Sequence, residues 1–335
     1  MSDEINLEVE LENRAKDDKV AEGLWHRYMM MKAFLRREYY PWIQASCPYY
    51  TDHGQHHIES VIKTASLLVG KFNLLIHLDI FLILSAIIWH DAGMVYGRTG
   101  HQNQVGRMLQ NIQQLAFIDV TIKRLIEDIV KAHSGEGGLA IPQRDQDCTL
   151  NGSTFTVYPR ALAAVVRFAD EVSENRSRVS ESIRPQLHED NLILWDYASC
   201  ISAARPEPAR QRVVVSVELH DGASITKYRC PTEFCSYADG DGKICMVQYV
   251  ICRLQKMNRE RAYCNPEFRK YSEMREITVR MMVIKAGCRV EGYEQEFVFG
   301  DNGLVQQRYP NINIYDDFFQ RFPDWQPDRI REVLS

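Results

Sequence analysis

The chain has 335 residues, 45% hydrophobic and 25% charged, an ordinary globular composition with length for about two domains and a sizeable core. Its 40 basic and 45 acidic residues leave a net charge of −5, so no global field recruits nucleic acid or anionic lipid, and a small anionic ligand needs a local basic pocket. Nine scattered cysteines without a C-x-x-C pair argue against a zinc knuckle or a secreted disulfide scaffold and fit a reducing cytosol.

The first 18 residues are polar and acidic, with no apolar signal core, and their composition predicts a mobile segment. A helical pattern then begins in "AEGLWHRYMMMKAFLRREYYPWI", where Leu24, Tyr28, Met31, Leu35 and Tyr39 recur at steps of three or four. The Met29–Met31 run reads as core filler, and Pro41 and Pro48 as punctuation before the next helix. Helices are predicted in "HHIESVIKTASLLVGKF", "DIFLILSAIIWHD", "HQNQVGRMLQNIQQL", "VTIKRLIEDIVKAH" and "RALAAVVRFADEVSEN". The greasy run Leu74–Trp89 is too short to span a bilayer. A Gly-, Ser-, Asp- and Asn-rich loop, "SGEGGLAIPQRDQDCTLNGS", separates the last two helices.

After about residue 200 the period changes. "RVVVSVELHDGASITKYR" reads as a strand pair turning at Asp221-Gly222, and a helix is predicted near "KICMVQYVICRLQKMNRERA". Two more strands follow in "EITVRMMVIKAG" and "EGYEQEFVFGDNG", then short helices to the end. Asp239, Asp241 and Glu291 sit beside glycines as turn formers. The expected fold is therefore mainly α: a helical bundle over residues 19–200, then a smaller α+β domain over 201–335 for regulation or oligomerisation.

The imidazoles and carboxylates of the helical part fall at helix ends. His57 opens one helix, His90 and Asp91 close the next before Gly93 as a helix stop, His101 opens a third and His133 ends a fourth. Asp170 lies late in a fifth, apolar helix. Helix ends facing one another in a bundle can bring such side chains to one point in the core. Mixed N and O ligation suits Mn²⁺, Fe²⁺, Co²⁺, Ni²⁺ or Zn²⁺, one ion or two.

With these residues the chain resembles the HD superfamily of metal-dependent phosphohydrolases. "HIESV", "AIIWHDAGM" and "VVRFADEV" resemble the three separated pieces of that motif, in order, over about residues 50 to 175. More finely, "YTDHGQHHIESV", "HDAGMVYGRTGHQNQVGRM" and "KAHSG" are similar to HD domains of prokaryotic conflict and defence proteins. The resemblance implies His57, His90, Asp91 and Asp170 as metal ligands and a nucleotide as substrate. His53 and His56 are read as neighbours of the ligands or solvent-facing. His101 and His133 are proton-transfer groups, ligands of a second ion, or exposed loop histidines. Among the basic residues Arg98 and Arg176 are the candidates for phosphate contact.

The expected function is a deoxynucleoside triphosphohydrolase or signalling-nucleotide phosphodiesterase of the cytoplasm, in antiviral defence, with no membrane partner and homo-oligomerisation left open. The alternatives are a nuclease on single strands, disfavoured by the acidic net charge, and a metal-stabilised sensor or partner-binding module.

Overall fold

The computed structural model describes residues 6–112, 118–134, 145–150, 152–224, 226–231, 234, 238, 240–300 and 314–335. The chain forms two compact units. The first comprises residues 1–48, 52–173 and 264–273; the second comprises 49–51, 174–263 and 274–335. The boundary expected at residue 200 falls within the 174–263 stretch of the second unit.

The first unit is a helical bundle. Its N-terminal stretch, expected to be mobile to residue 18, is helical over Leu7–Ala15 (α1). Two interactions reverse the composition-based reading: Asn6 caps the helix by accepting from the Glu8 amide, and Leu7 and Leu11 are fully buried. Arg14 further ties α1 down by donating to the carbonyls of Phe72 and Leu75. Residues 1–5 lie outside the described residues.

Helix α2 (Lys19–Glu38) is capped by Asp18 and buries Leu24, Tyr28, Met31 and Leu35 of the predicted stripe, while Tyr39 is the half-buried residue that ends the helix. Of the methionine run, Met31 is core while Met29 and Met30 are exposed, because neighbours in sequence point off the buried face. Pro41 does not interrupt the chain; it sits in the first turn of α3 (Tyr40–Ser46), where its missing N–H costs nothing.

Helices α4 (Gln55–Val69) and α5 (His77–Trp89) follow, and α5 is buried from Leu78 to Trp89. Residues 77–96 are apolar and long enough to cross a membrane, but 94% of that stretch is buried within the fold, as in a core helix. Next come α6 (Gln104–Asn111) and α7 (Val120–Lys131); residues 113–117 of the predicted "HQNQVGRMLQNIQQL" helix lie outside the described ones.

The predicted loop after His133 is in part a β-hairpin. Strands β1 (Gln146–Leu150) and β2 (Ser153–Val157) pair antiparallel, and residues 135–144 lie outside the described ones. Helix α8 (Pro159–Val172) packs against α4, α5 and α7 and completes the bundle.

The second unit carries α9 (Glu189–Cys200) and a four-stranded sheet in the order β3-β4-β7-β8. Strands β3 (Ile201–Glu207) and β4 (Arg212–His220) are antiparallel. The pair predicted around Asp221-Gly222 does not form. Those residues begin one helical turn, α10 (Asp221–Ser224), and β5 (Lys227–Arg229) pairs instead with β6 (Lys243–Cys245). Helix α11 (Met246–Phe268) leads to β7 (Glu276–Lys285), which lies parallel to β4.

The sheet closes with β8 (Cys288–Gly300), antiparallel to β7. Residues of both faces of β7 are buried, among them Ile277, Thr278, Val279, Met281, Met282 and Val283, which is why the strand alternates so imperfectly. Glu291 lies within β8 and forms no end-turn, Asp241 accepts from the Lys243 amide, and Asp239 is outside the described residues. Short helices α12 (Ile314–Arg321) and α13 (Pro327–Leu334) end the chain, as predicted.

Candidate metal centre

The first unit brings together His57 from the first turn of α4, His90 and Asp91 from the end of α5, and His133 from just beyond α7. A 3-10 turn at residues 101–103 adds His101, and the last turn of α8 adds Asp170. His53, from the loop before α4, joins them. These imidazoles run edge to face in the order His53, His57, His90, His133, His101, with ring centroids 5.1 to 5.5 Å apart.

The local sequence fixes each group. Asp52 accepts from the Gly54 amide at 2.9 Å and the His57 amide at 3.3 Å, so the start of α4 is held by a side chain. Ser173 donates to the Ala169 carbonyl and lies 2.9 Å from Thr64 Oγ1, pinning the end of α8 to α4. Arg167 is buried and donates to the Ala132 carbonyl, which anchors the residue before His133.

Gly93 has a different job from the helix stop expected of it. Helix α5 ends at Trp89 and a 3-10 turn spans residues 92–96. A Cβ on Gly93 would lie 2.1 Å from the His101 carbonyl oxygen, so glycine permits the close approach that carries His101 to Asp91. Gly100, with φ +69°, supplies the left-handed turn just before His101.

Three overlapping groups of donor atoms could hold a divalent ion: His57–His90–Asp170, Asp91–His101–His133 and His53–His57–Asp91, each with its ligand atoms within 4.8 Å of one another. His57 Nε2 lies 3.1 Å from Asp170 Oδ1 and 3.2 Å from His90 Nε2. His90 Nε2 is 3.1 Å from Asp91 Oδ2, while His101 Nε2 is 3.0 Å from Asp91 Oδ1. Bonds of about 2.0–2.2 Å to one ion place neighbouring ligands about 3–3.4 Å apart, so these separations fit shared cations.

Proton placement fits as well. His90, His101 and His133 each set Nδ1 at 2.7, 2.9 and 2.5 Å from the carbonyl three residues earlier: Ile87, Arg98 and Val130. A carbonyl only accepts, so Nδ1 carries the proton and Nε2 of the neutral ring turns a lone pair toward the centre. His101 Nε2 is buried and makes no hydrogen bond even at 3.0 Å from the carboxylate. A buried nitrogen left so is costly unless a cation takes its lone pair.

Burial and the carboxylates of Asp91 and Asp170 together set the charge balance of the cluster. Burial opposes a charge on His90, yet Asp91 and Asp170 outweigh it and push its pKa up to about 9. Burial, with His90 adding to it, pushes His133 down to about 3. Burial works against ionised Asp91 and Asp170, but the surrounding imidazoles hold both below the usual carboxylate range. Asp170 is the open member: its side chain is 28% exposed, against 0–6% for His57, His90, Asp91, His101 and His133.

The two arginines fall apart from this pattern. Exposed Arg98 directs its guanidinium to Met94 Sδ, and its carbonyl serves His101. Arg176 belongs to the second unit, where it pairs with Glu218. His53, expected beside the ligands or facing solvent, is buried and lies 2.8 Å from Asp91 Oδ2, so of the two expectations the first describes it.

The HD-CE family model matches residues 47–235, more than half of the chain, and takes in every residue of the cluster. The chain belongs to the HD-CE family. That match extends well past the 50–175 covered by the sequence resemblance and into the second unit. No curated protein and no solved structure matches the chain. An HD-type domain whose buried His/Asp cluster could bind a divalent metal is the architecture of a metal-dependent hydrolase.

Proposed function

We propose that this HD-CE chain is a metal-dependent phosphohydrolase acting on a nucleotide. The observation that carries the reading is the shared, buried Asp91, whose two oxygens face different sets of imidazoles in one compact unit. His57, His90, Asp91 and Asp170, with His101 and His133 beside them, are the residues that would hold one or two such ions. Bound divalent ions would polarise a phosphoryl oxygen and lower the pKa of water towards about 7.

The protein's own groups do the rest. Nδ1 donation to backbone carbonyls keeps the imidazoles in one tautomer and orientation. Burial keeps bulk water from screening the centre. The partial exposure of Asp170 supports a substrate approach from its side of the cluster. His101 as a proton carrier remains the second reading, favoured by its unbonded Nε2.

The nucleotide, and a role in antiviral defence, are proposed on the resemblance of "YTDHGQHHIESV" and "HDAGMVYGRTGH" to defence HD domains. The test is phosphate release from a nucleotide panel with Mn²⁺, Co²⁺, Ni²⁺ or Mg²⁺, alongside elemental analysis. One or two equivalents of metal and metal-dependent release are expected, both abolished in Asp91→Ala. Metal without hydrolysis of any nucleotide returns the chain to the sensor reading.

A further inference from the structure

His53 approaches the centre differently from its neighbours. His90, His101 and His133 spend Nδ1 on backbone carbonyls and turn Nε2 inward, whereas His53 faces Asp91 through Nδ1, 2.8 Å from Oδ2. Ionised Asp91 only accepts, so the His53 Nδ1–H donates. A nitrogen that spends its proton on the carboxylate has no lone pair for an ion. The loop that carries His53 is held to the start of α4, since Asp52 accepts from the amides of Gly54 and His57, and His53 itself is 8% exposed.

Asp91 has two jobs that conflict if its carboxylate turns. Oδ2 lies 3.1 Å from His90 Nε2 and 3.7 Å from His57 Nε2, and Oδ1 lies 3.0 and 3.9 Å from the Nε2 atoms of His101 and His133. We propose that His53 is a positioning residue that tethers Asp91 Oδ2, so that Oδ1 stays turned toward His101 and His133. The proposal rests on the metal-centre reading above and assigns His53 the role of orienting a ligand without being one.

The test uses the full chain as wild type, His53→Ala and His53→Asn, titrated with Co²⁺ or Mn²⁺ alone against a chromophoric chelator. The Co²⁺ absorption spectrum reports ligand geometry. Loss of an outer partner of a metal ligand costs about 10–100-fold in affinity, so His53→Ala should weaken binding by that factor without loss of the metal at saturation. His53→Asn, which restores an N–H near the position of Nδ1, should recover most of the affinity and the wild-type spectrum.

A His53→Ala protein that binds as tightly as wild type, with an unchanged spectrum, overturns the proposal. So does the loss of one equivalent of metal at saturation in both variants, which would make His53 a ligand. Circular dichroism melts separate either result from misfolding. A wild-type chain that binds neither ion would sink the metal-centre reading itself, and is distinguished by failing before any variant is compared.

Discussion

Gly93 shows how one hydrogen atom in place of a side chain can hold the centre together. The turn after Asp91 runs against the His101 backbone, and an alanine Cβ would meet the His101 carbonyl oxygen at 2.1 Å and its carbon at 2.9 Å. Backbone atoms cannot swing aside as a flexible side chain can, so Gly93→Ala must push His101 away from Asp91. Overpacking of this kind costs typically 1–3 kcal/mol, and a displacement of about 1 Å at a site costs about 100-fold in rate. The expected outcome is a folded protein with weakened metal binding and about 100-fold slower hydrolysis. Chelator competition and phosphate release measure the two, and wild-type values for both would show that His101 has no need of this contact.

At the same scale, the sequence reveals His57, His90, Asp91 and Asp170 because each stands in a recognisable local pattern. His101 and His133 also stand at helix ends, but the sequence leaves their role open, and only the fold shows that both face Asp91 Oδ1. Three histidines stand near the start of α4, and nothing in their spacing distinguishes His53, which meets Asp91, from His56, which does not join the groups around it. Arg176 looked as good a phosphate ligand as Arg98 until each acquired neighbours.

At the scale of elements, helices were legible and strand pairing was not. Apolar period marked α2, α4, α5, α7 and α8, since a helix writes its buried face into three- and four-residue steps. The hairpin β1–β2 was hidden by turn-forming composition. The parallel pairing of β4 with β7 joins residues 212–220 to 276–284, and no local signal encodes a partner so far along the chain. The N-terminal helix escaped because its polar composition masked Leu7 and Leu11.

Helix α5 carries a further consequence at its other end. Asp79 accepts from the Ile76 amide at the helix start but is buried, and burial pushes its pKa up to about 6, with Lys270 and Arg14 opposing the shift and Tyr271 nearby. A raised carboxyl pKa means that the folded state binds the proton more tightly than the unfolded chain. Asp79 therefore costs no stability below about pH 3.8, and its penalty grows as pH rises to about 6. A shift of about two units corresponds to roughly 3 kcal/mol at most. Asp79→Asn keeps an acceptor for the Ile76 amide and removes the charge. It should be more stable than wild type by about 1–3 kcal/mol at pH 7.5 and indistinguishable at pH 4. Urea unfolding at both pH values checks this; a variant less stable at pH 7.5 would show that the carboxylate is held by attraction instead.

For the whole molecule, the chain does not divide once. It leaves the first unit after Ser173 and returns to it at Cys264 for ten residues, through Glu273. That return packs on the helix that carries Asp170: Phe268 is fully buried and stacks on Phe168 with centroids 6.0 Å apart, Arg160 pairs with Glu267, and Lys270 lies over the Tyr158 ring. Cutting the chain at residue 200, where composition changes, would therefore strip packing from the unit that carries the His/Asp cluster. An inactive fragment made that way says nothing about regulation by the remainder. Phe268→Ala in the full chain isolates the effect, because deleting a buried ring costs about 3–5 kcal/mol through lost burial and the cavity left behind. Phe168 lies two residues before Asp170, so loosening of α8 should also weaken metal binding, with the Co²⁺ spectrum shifting on the His57–His90–Asp170 side. The expected result is a lower unfolding midpoint together with reduced affinity for Co²⁺. A variant that loses stability yet binds Co²⁺ as wild type would show that the returning segment supports the bundle without setting the position of Asp170.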